Sequence, residues 1–231
     1  GDVDHKTLSH IIQQNFAKWK QSPINEKNEV RAGKPRKGQK YITMKDKTSS
    51  DLVYGIPLSI NEDHKDFLPL TVGTRALGGA FTARLMRKVR VEDGLTYGVY
   101  SSLTGTTNKS PGTWIAYGTY SPDLLKKGEL SMEGVLNSWA ESGITKEELK
   151  RMKSTIVGSM QVGYDTTGGL ARGILSAAVN RGGVKYLDDY AKMVDQVTLE
   201  QVNMAIKEHI KMENVYKVAA EPIHKEGLPT K

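Results

Sequence analysis

Two segments rich in Tyr, Val, Thr and Trp, from Tyr97 to Thr106 and from Thr113 to Tyr120, are separated by a short stretch containing Asn108, Ser110, Pro111 and Gly112. Aromatic and β-branched residues suit strands, and that turn chemistry joins them as a hairpin. A hairpin commits its strands to antiparallel pairing, which a strictly alternating β/α chain does not contain. Strands are also expected at Tyr41 to Lys45 and Leu52 to Leu58. The second puts Leu52, Tyr54, Ile56 and Leu58 on one side, with Pro57 marking a sheet edge or a strand end. Val215 to Ala220 supplies a last strand.

Helical spacing accounts for most of the remainder. The first helix spans residues 4 to 20, with Asp4 as N-cap and Leu8, Ile11, Ile12, Phe16 and Trp19 on one face. A second runs from His64 to Leu77 behind Asp63, and a third from Phe81 to Val91 with Phe81, Leu85 and Val89 in register. Gly94 is placed to end the third. Ser121 and Pro122 open a long helix carrying Leu125, Val135, Leu136 and Trp139. Thr145 with Glu148, and Thr198 with Gln201, make capping boxes for two more, and helices are expected at 167–180 and 186–194. The order predicts an α+β fold, an antiparallel or mixed sheet with helices packed on one face.

A polar stretch from Gln21 to Gln39 divides the first helix from everything else. It holds Pro23, Gly33, Pro35 and Gly38 and has no apolar period, as a solvated linker does. The expected organisation is therefore a helix over 1–20 that ends a preceding domain, a basic linker over 21–39, and an α+β domain over 40–231. The formal net charge is +7. Between Glu26 and Lys47, eight Lys and Arg residues face three acidic ones, so most of that excess sits in and beside the linker. Without interleaved aromatics it reads as a connector rather than a nucleic-acid site, and no nucleic-acid partner is expected. No apolar run approaches the ~20 residues of a membrane span, and the polar start gives no signal peptide.

The missing chemistry narrows the function. With no cysteine there is no thiol nucleophile, disulfide or Cys-type zinc site. The histidines are His5, His10, His64, His209 and His224, and none sits in a His-x-x-Glu-His arrangement. Neither a phosphate-binding Gly-Lys loop, a Gly-x-Gly-x-x-Gly turn nor a Gly-x-Ser-x-Gly elbow is present. No cofactor or metal is expected in this chain, and a self-contained metalloenzyme or hydrolase is not expected from it.

The segment from Leu77 to Tyr97 is distinctive: Leu77-Gly78, then Arg84-Leu85, Arg90, Glu92, and Gly94-Leu95 followed by Tyr97. It resembles the second, non-zinc half of the pitrilysin/insulinase zinc peptidases, which include the mitochondrial processing peptidases. Gly1-Asp2 with Phe16 and Trp19 resembles the helix closing that family's preceding domain, and Thr145 to Lys153 resembles its acidic, lysine-rich helix. The resemblance covers most of the chain. It implies a composite site, in which the zinc and its general base lie on another half, of the same polypeptide or of a partner subunit, and Arg90 and Tyr97 reach in as catalytic donors. A guanidinium and a phenol both donate hydrogen bonds, which suits peptide carbonyls and an oxyanion formed when zinc-bound water attacks.

An Arg at a helix end and a Tyr opening a strand also serve capping and packing alone. Arg84 and Arg87 are read as positioning substrate or as a solvated helix face, and Gly78-Gly79 as a turn or an anion-binding helix start. Tyr100, Tyr117, Tyr120, Trp114 and Trp139 are assigned to the core and sheet faces. Ala80 and Ala83 replace residues that are often Gly and Ser in the family, and the zinc-bearing half is absent, as expected of one piece of a longer chain.

The resemblance implies a substrate-clamping half of a zinc endopeptidase acting on peptides or unfolded protein. An alternative is a catalytically inactive structural or assembly subunit of the same fold. It fits a periplasmic or otherwise exported location in a bacterial host, while the residues leave the compartment open.

Overall fold

A computed structural model describes residues 2–20, 30–106 and 110–223. Five strands, β1 (Gly38–Met44), β2 (Ser50–Pro57), β3 (Gly98–Thr104), β4 (Thr113–Tyr120) and β5 (Tyr216–Pro222), form one sheet in the order β1-β5-β2-β4-β3. Every neighbouring pair is antiparallel except β1 and β5, which run parallel. The sheet is therefore mixed. Its hairpin partners are β3 and β4, as the sequence requires, while Asn108 of the turn lies outside the described residues.

The period of two decides which face is buried. Leu52, Tyr54 and Ile56 of β2 lie opposite Gly118, Ala116 and Trp114 of β4, and this face carries the core. Helices α2 (Phe67–Gly78), α3 (Leu125–Ser142), α4 (Lys146–Tyr164), α5 (Thr167–Asn180), α6 (Lys185–Gln196) and α7 (Leu199–His209) make up the helical part, with α2 and α3 against that face. Trp114 of β4 stacks on Trp139 of α3 with centroids 5.8 Å apart, and the Trp139 indole N–H donates to the Gly73 carbonyl of α2 at 3.1 Å. Full burial of such side chains contributes about 1.5–3 kcal/mol each, so this knot of β4, α3 and α2 is a main anchor of the layers. Both capping boxes form, at Thr145/Glu148 and Thr198/Gln201.

Gly78 decides how closely α2 approaches the sheet. A Cβ there would lie 2.4 Å from the Ser101 backbone nitrogen of β3, and the Ser101 hydroxyl donates to the Thr74 carbonyl at 2.7 Å. Gly78-Gly79 is thus a packing and helix-end device, not the start of an anion-binding helix.

Two expected helices differ. The one placed from His64 begins at Phe67, because His64 Nδ1 accepts the Asp66 N–H at 3.1 Å and holds residues 64–66 in a turn. The one placed over 81–91 is a π-helical segment, Met86–Glu92, and Phe81 lies outside its core face and is exposed. Tyr117, read as core or sheet face, stands on the other side of the sheet beside Tyr100, with ring centroids 5.1 Å apart. Its hydroxyl donates to Asp51 at 2.6 Å.

Helix α1 (His5–Phe16) has the expected cap, the Asp4 carboxylate accepting the Lys6 and Thr7 N–H groups at 3.0 and 2.9 Å. It buries no residue. Leu8, Ile11, Ile12, Phe16 and Trp19 are all exposed. Residues 21–29 of the basic segment, and His224, lie outside the described residues.

Candidate functional site

Arg90 is in the last turn of the π-helical segment and Tyr97 immediately precedes β3. An i→i+5 bond from the Asp93 N–H to the Lys88 carbonyl, 3.0 Å, widens the turn, and Gly94 reverses the chain with φ +63°. Widened turns of this kind occur often at functional sites. Buried Val89 and Leu85 anchor the segment from below. Asp93 accepts from Lys88 Nζ and Ser131 Oγ, both at 2.6 Å, and these two hydrogen bonds hold its carboxyl below the usual range. The loop is thereby tied to α3 on one side while its tip stays open.

The result brings the two sequence-predicted residues together. The Arg90 guanidinium carbon lies 4.4 Å from the Tyr97 ring centroid and 4.9 Å from that of Phe81. Phe81 therefore completes a cluster that the sequence reading missed, having set it in register with Leu85 and Val89 on one helix face; its exposure beside a cation is not a signal a single sequence carries. Each ring contributes about 0.5–1 kcal/mol to an exposed cation. Both contacts are made over ring faces, which leaves the guanidinium N–H groups without a hydrogen-bond acceptor there. Among the described residues, no hydrogen bond or ion pair engages Arg90 or the Tyr97 hydroxyl, and Tyr97 is 84% exposed. The site thus presents preoriented, unspent donors to whatever approaches from outside the chain.

A cleft of about 340 Å³ opens beside it, lined among others by Thr48, Gly94, Thr96, Tyr97 and Thr119. Thr96 fixes its wall, its hydroxyl donating to the Thr119 carbonyl of β4.

Of the two other arginines of this region, Arg87 lies on a solvated face as read and Arg84 does not. Arg84 is not on a solvated face: its Nε and Nη2 donate to the two oxygens of Glu148 at 2.7 and 2.6 Å, and both side chains are largely buried. Burial pushes the Glu148 carboxyl up, but these bonds and the Thr145 N–H outweigh it and hold it below the usual carboxylate range. Arg87 is exposed and lies 3.5 Å from Glu92. No carboxylate or imidazole set for a hydrolytic metal gathers at Arg90 and Tyr97 among the described residues; His64, Asp66 and His209 do converge, but at the start of α2 and the end of α7.

Comparison with known proteins gives the arrangement its context. The sequence profile of the "Peptidase M16 inactive domain" matches residues 1–156. The chain belongs to the peptidase M16 inactive-domain family.

M16 inactive domains are also what it resembles in three dimensions. The crystal structure of an M16 inactive domain from Pseudomonas fluorescens superposes with a TM-score of 0.78 at 25% identity, over 100% of this chain and 53% of that one. A protease from Helicobacter pylori gives 0.79 at 14% identity, over 96% and 53%, a likeness of fold alone. Among curated proteins, "Uncharacterized zinc protease Mb2805c" of Mycobacterium bovis is 26% identical over 91% of this chain and 48% of its own. "Non-peptidase homolog YmxG" of Helicobacter pylori is 25% identical over 78% and 41%. The chain spans about half the length of these relatives. Membership of an inactive-domain family accounts for the absence of His-x-x-Glu-His from the sequence, and no described helix is long and apolar enough to cross a membrane.

Proposed function

We propose that this chain is the substrate-clamping half of a zinc metalloendopeptidase, and that Arg90 and Tyr97 complete an active site whose zinc is held by another domain or subunit. The observation that carries this reading is the stack of Phe81, Arg90 and Tyr97, which orients a guanidinium and a phenol at an open mouth with their donors unspent. Donors of this kind hold a peptide carbonyl and stabilise the oxyanion that develops on attack by water activated at the zinc. The substrate is a peptide or unfolded segment, lying along a sheet edge where main-chain hydrogen bonds give affinity with little side-chain selectivity.

In this reading the exposed stripe of α1 packs on the zinc-bearing half, residues 21–39 link that half to the domain that follows, and closure of the halves encloses the substrate. The name of the H. pylori relative, a non-peptidase homolog, favours a second reading, a structural subunit of the same fold. Reconstitution separates the two. The 231-residue chain alone shows no peptidase activity, and adding its zinc-bearing half produces it. Activity from this chain alone, or none after assembly with a half that carries His-x-x-Glu-His, overturns the proposal.

A further inference from the structure

Away from the Arg90 and Tyr97 mouth, three metal-ligating side chains converge from distant parts of the sequence. His64 lies in the turn before α2, Asp66 occupies the N-cap position of α2, and His209 is the last residue of α7. His209 Nε2 is 2.9 Å from Asp66 Oδ2, and His64 Nδ1 is 3.9 Å from the same oxygen. One ligand atom from each residue lies within 4.8 Å of the other two. The imidazole rings meet edge to face, with centroids 5.6 Å apart.

We propose that His64, Asp66 and His209 form a binding site for a divalent ion of the zinc type. Two imidazoles and one carboxylate are a ligand set that such ions accept, with a fourth position left to water. Calcium and magnesium ask for six or more oxygens and are poorly served here. Bonds of about 2.0–2.1 Å in tetrahedral geometry put donor atoms about 3.3 Å apart, a value that the 2.9 and 3.9 Å spacings bracket, and ligation through His64 Nδ1 requires it to exchange the Asp66 N–H that it accepts at 3.1 Å for the ion.

The conduct of Asp66 points the same way. An Asp at an N-cap ordinarily accepts an N–H from the first helical turn, yet the Asp66 side chain makes no such bond and turns to the two histidines instead. All three side chains are partly buried, which shields the ligands without closing the site. A cleft of about 370 Å³ borders His64, with Glu62 and Asp63 balanced in its lining by Lys65 and Arg181, and Glu62 held by Arg181 at 2.7 Å. Bound there, the ion ties the start of α2 to the end of α7 across 143 residues of sequence.

The test is a titration of the metal-stripped 231-residue chain with Zn²⁺ in competition with a chromophoric chelator, with Co²⁺ absorption reporting the geometry. The expected result is one equivalent bound and a Tm raised by about 5–11 °C at a hundredfold excess over Kd. His64→Gln and His209→Gln should each weaken binding at least about tenfold, since even the outer partners of metal ligands cost that much. His10→Gln, on exposed α1, should leave affinity unchanged. Absence of one-equivalent binding, or wild-type affinity in His64→Gln, overturns the proposal. If His209→Gln fails to fold by circular dichroism, His64→Gln, altered in a turn, carries the same test. Peptidase activity is not read here, so this result and that of the clamp stand apart.

Discussion

Replacing Glu148 by Gln probes how the π-helical segment is fixed to the body of the domain. The Glu148 carboxylate does two jobs: it takes a two-point contact from Arg84 at 2.7 and 2.6 Å, and it accepts the Thr145 N–H at 2.8 Å in the capping box of α4. Gln keeps a capping box but loses the charge, so the substitution isolates the ion pair from the cap. The Arg84 side chain is 17% exposed and the Glu148 side chain 11%. Breaking a buried pair by removing one partner costs about 3–5 kcal/mol, and the residual exposure of Arg84 argues for the lower end, about 3 kcal/mol. At roughly 2–4 °C per kcal/mol for a chain of this size, Tm should fall by about 6–12 °C.

Glu148→Ala should lose about 1 kcal/mol more, for the cap. The pH dependence follows in sign. The folded-state pKa of Glu148 is lowered, so its contribution is fully present above the ordinary Glu value of about 4.3 and is lost as pH falls through the lower folded value. Urea and thermal unfolding of the variants measure both quantities. A Glu148→Gln Tm within about 2 °C of wild type would show that Arg84 is solvated after the loss, and the packing argument for this segment would fail.

Two other substitutions test single contacts. Gly78→Ala should destabilise by about 1–3 kcal/mol in urea unfolding, because its Cβ would stand 2.4 Å from backbone that cannot move aside easily; a neutral effect would remove the close approach of α2 to β3. Phe81→Ala removes one ring from the Arg90 stack. Since Phe81 is 68% exposed, stability should hardly change, while kcat/KM of the assembled peptidase should drop about two- to fivefold, the equivalent of 0.5–1 kcal/mol.

What was legible in the sequence is what repeats locally. The alternation of Leu52, Tyr54 and Ile56, the aromatic and β-branched runs of β3 and β4 and the Thr145/Glu148 and Thr198/Gln201 boxes each write a short-range signal, and each of these elements formed. Pairs joined across long separations write none. Parallel pairing of Gly38–Met44 with Tyr216–Pro222 makes the sheet mixed, and nothing near either strand announces it. Arg84 finds Glu148 64 residues away, so an arginine that reads as solvated is a buried partner. Phe81 fell at helical spacing with Leu85 and Val89, but the widened π turn breaks that register and leaves its ring beside Arg90. The spacing of Arg90 and Tyr97 was readable; their being stacked, with their donors unspent, required the fold.

The central claim is that Arg90 and Tyr97 act on the transition state of a reaction whose zinc lies elsewhere. Steady-state peptide hydrolysis by the assembled two-half protein, comparing Tyr97→Phe and Arg90→Ala with wild type, tests it most directly. Loss of about 10²- to 10³-fold in kcat for Tyr97→Phe, with folding and assembly intact, is the predicted result. Unchanged kcat and KM in both variants would contradict it and leave the stack a packing feature.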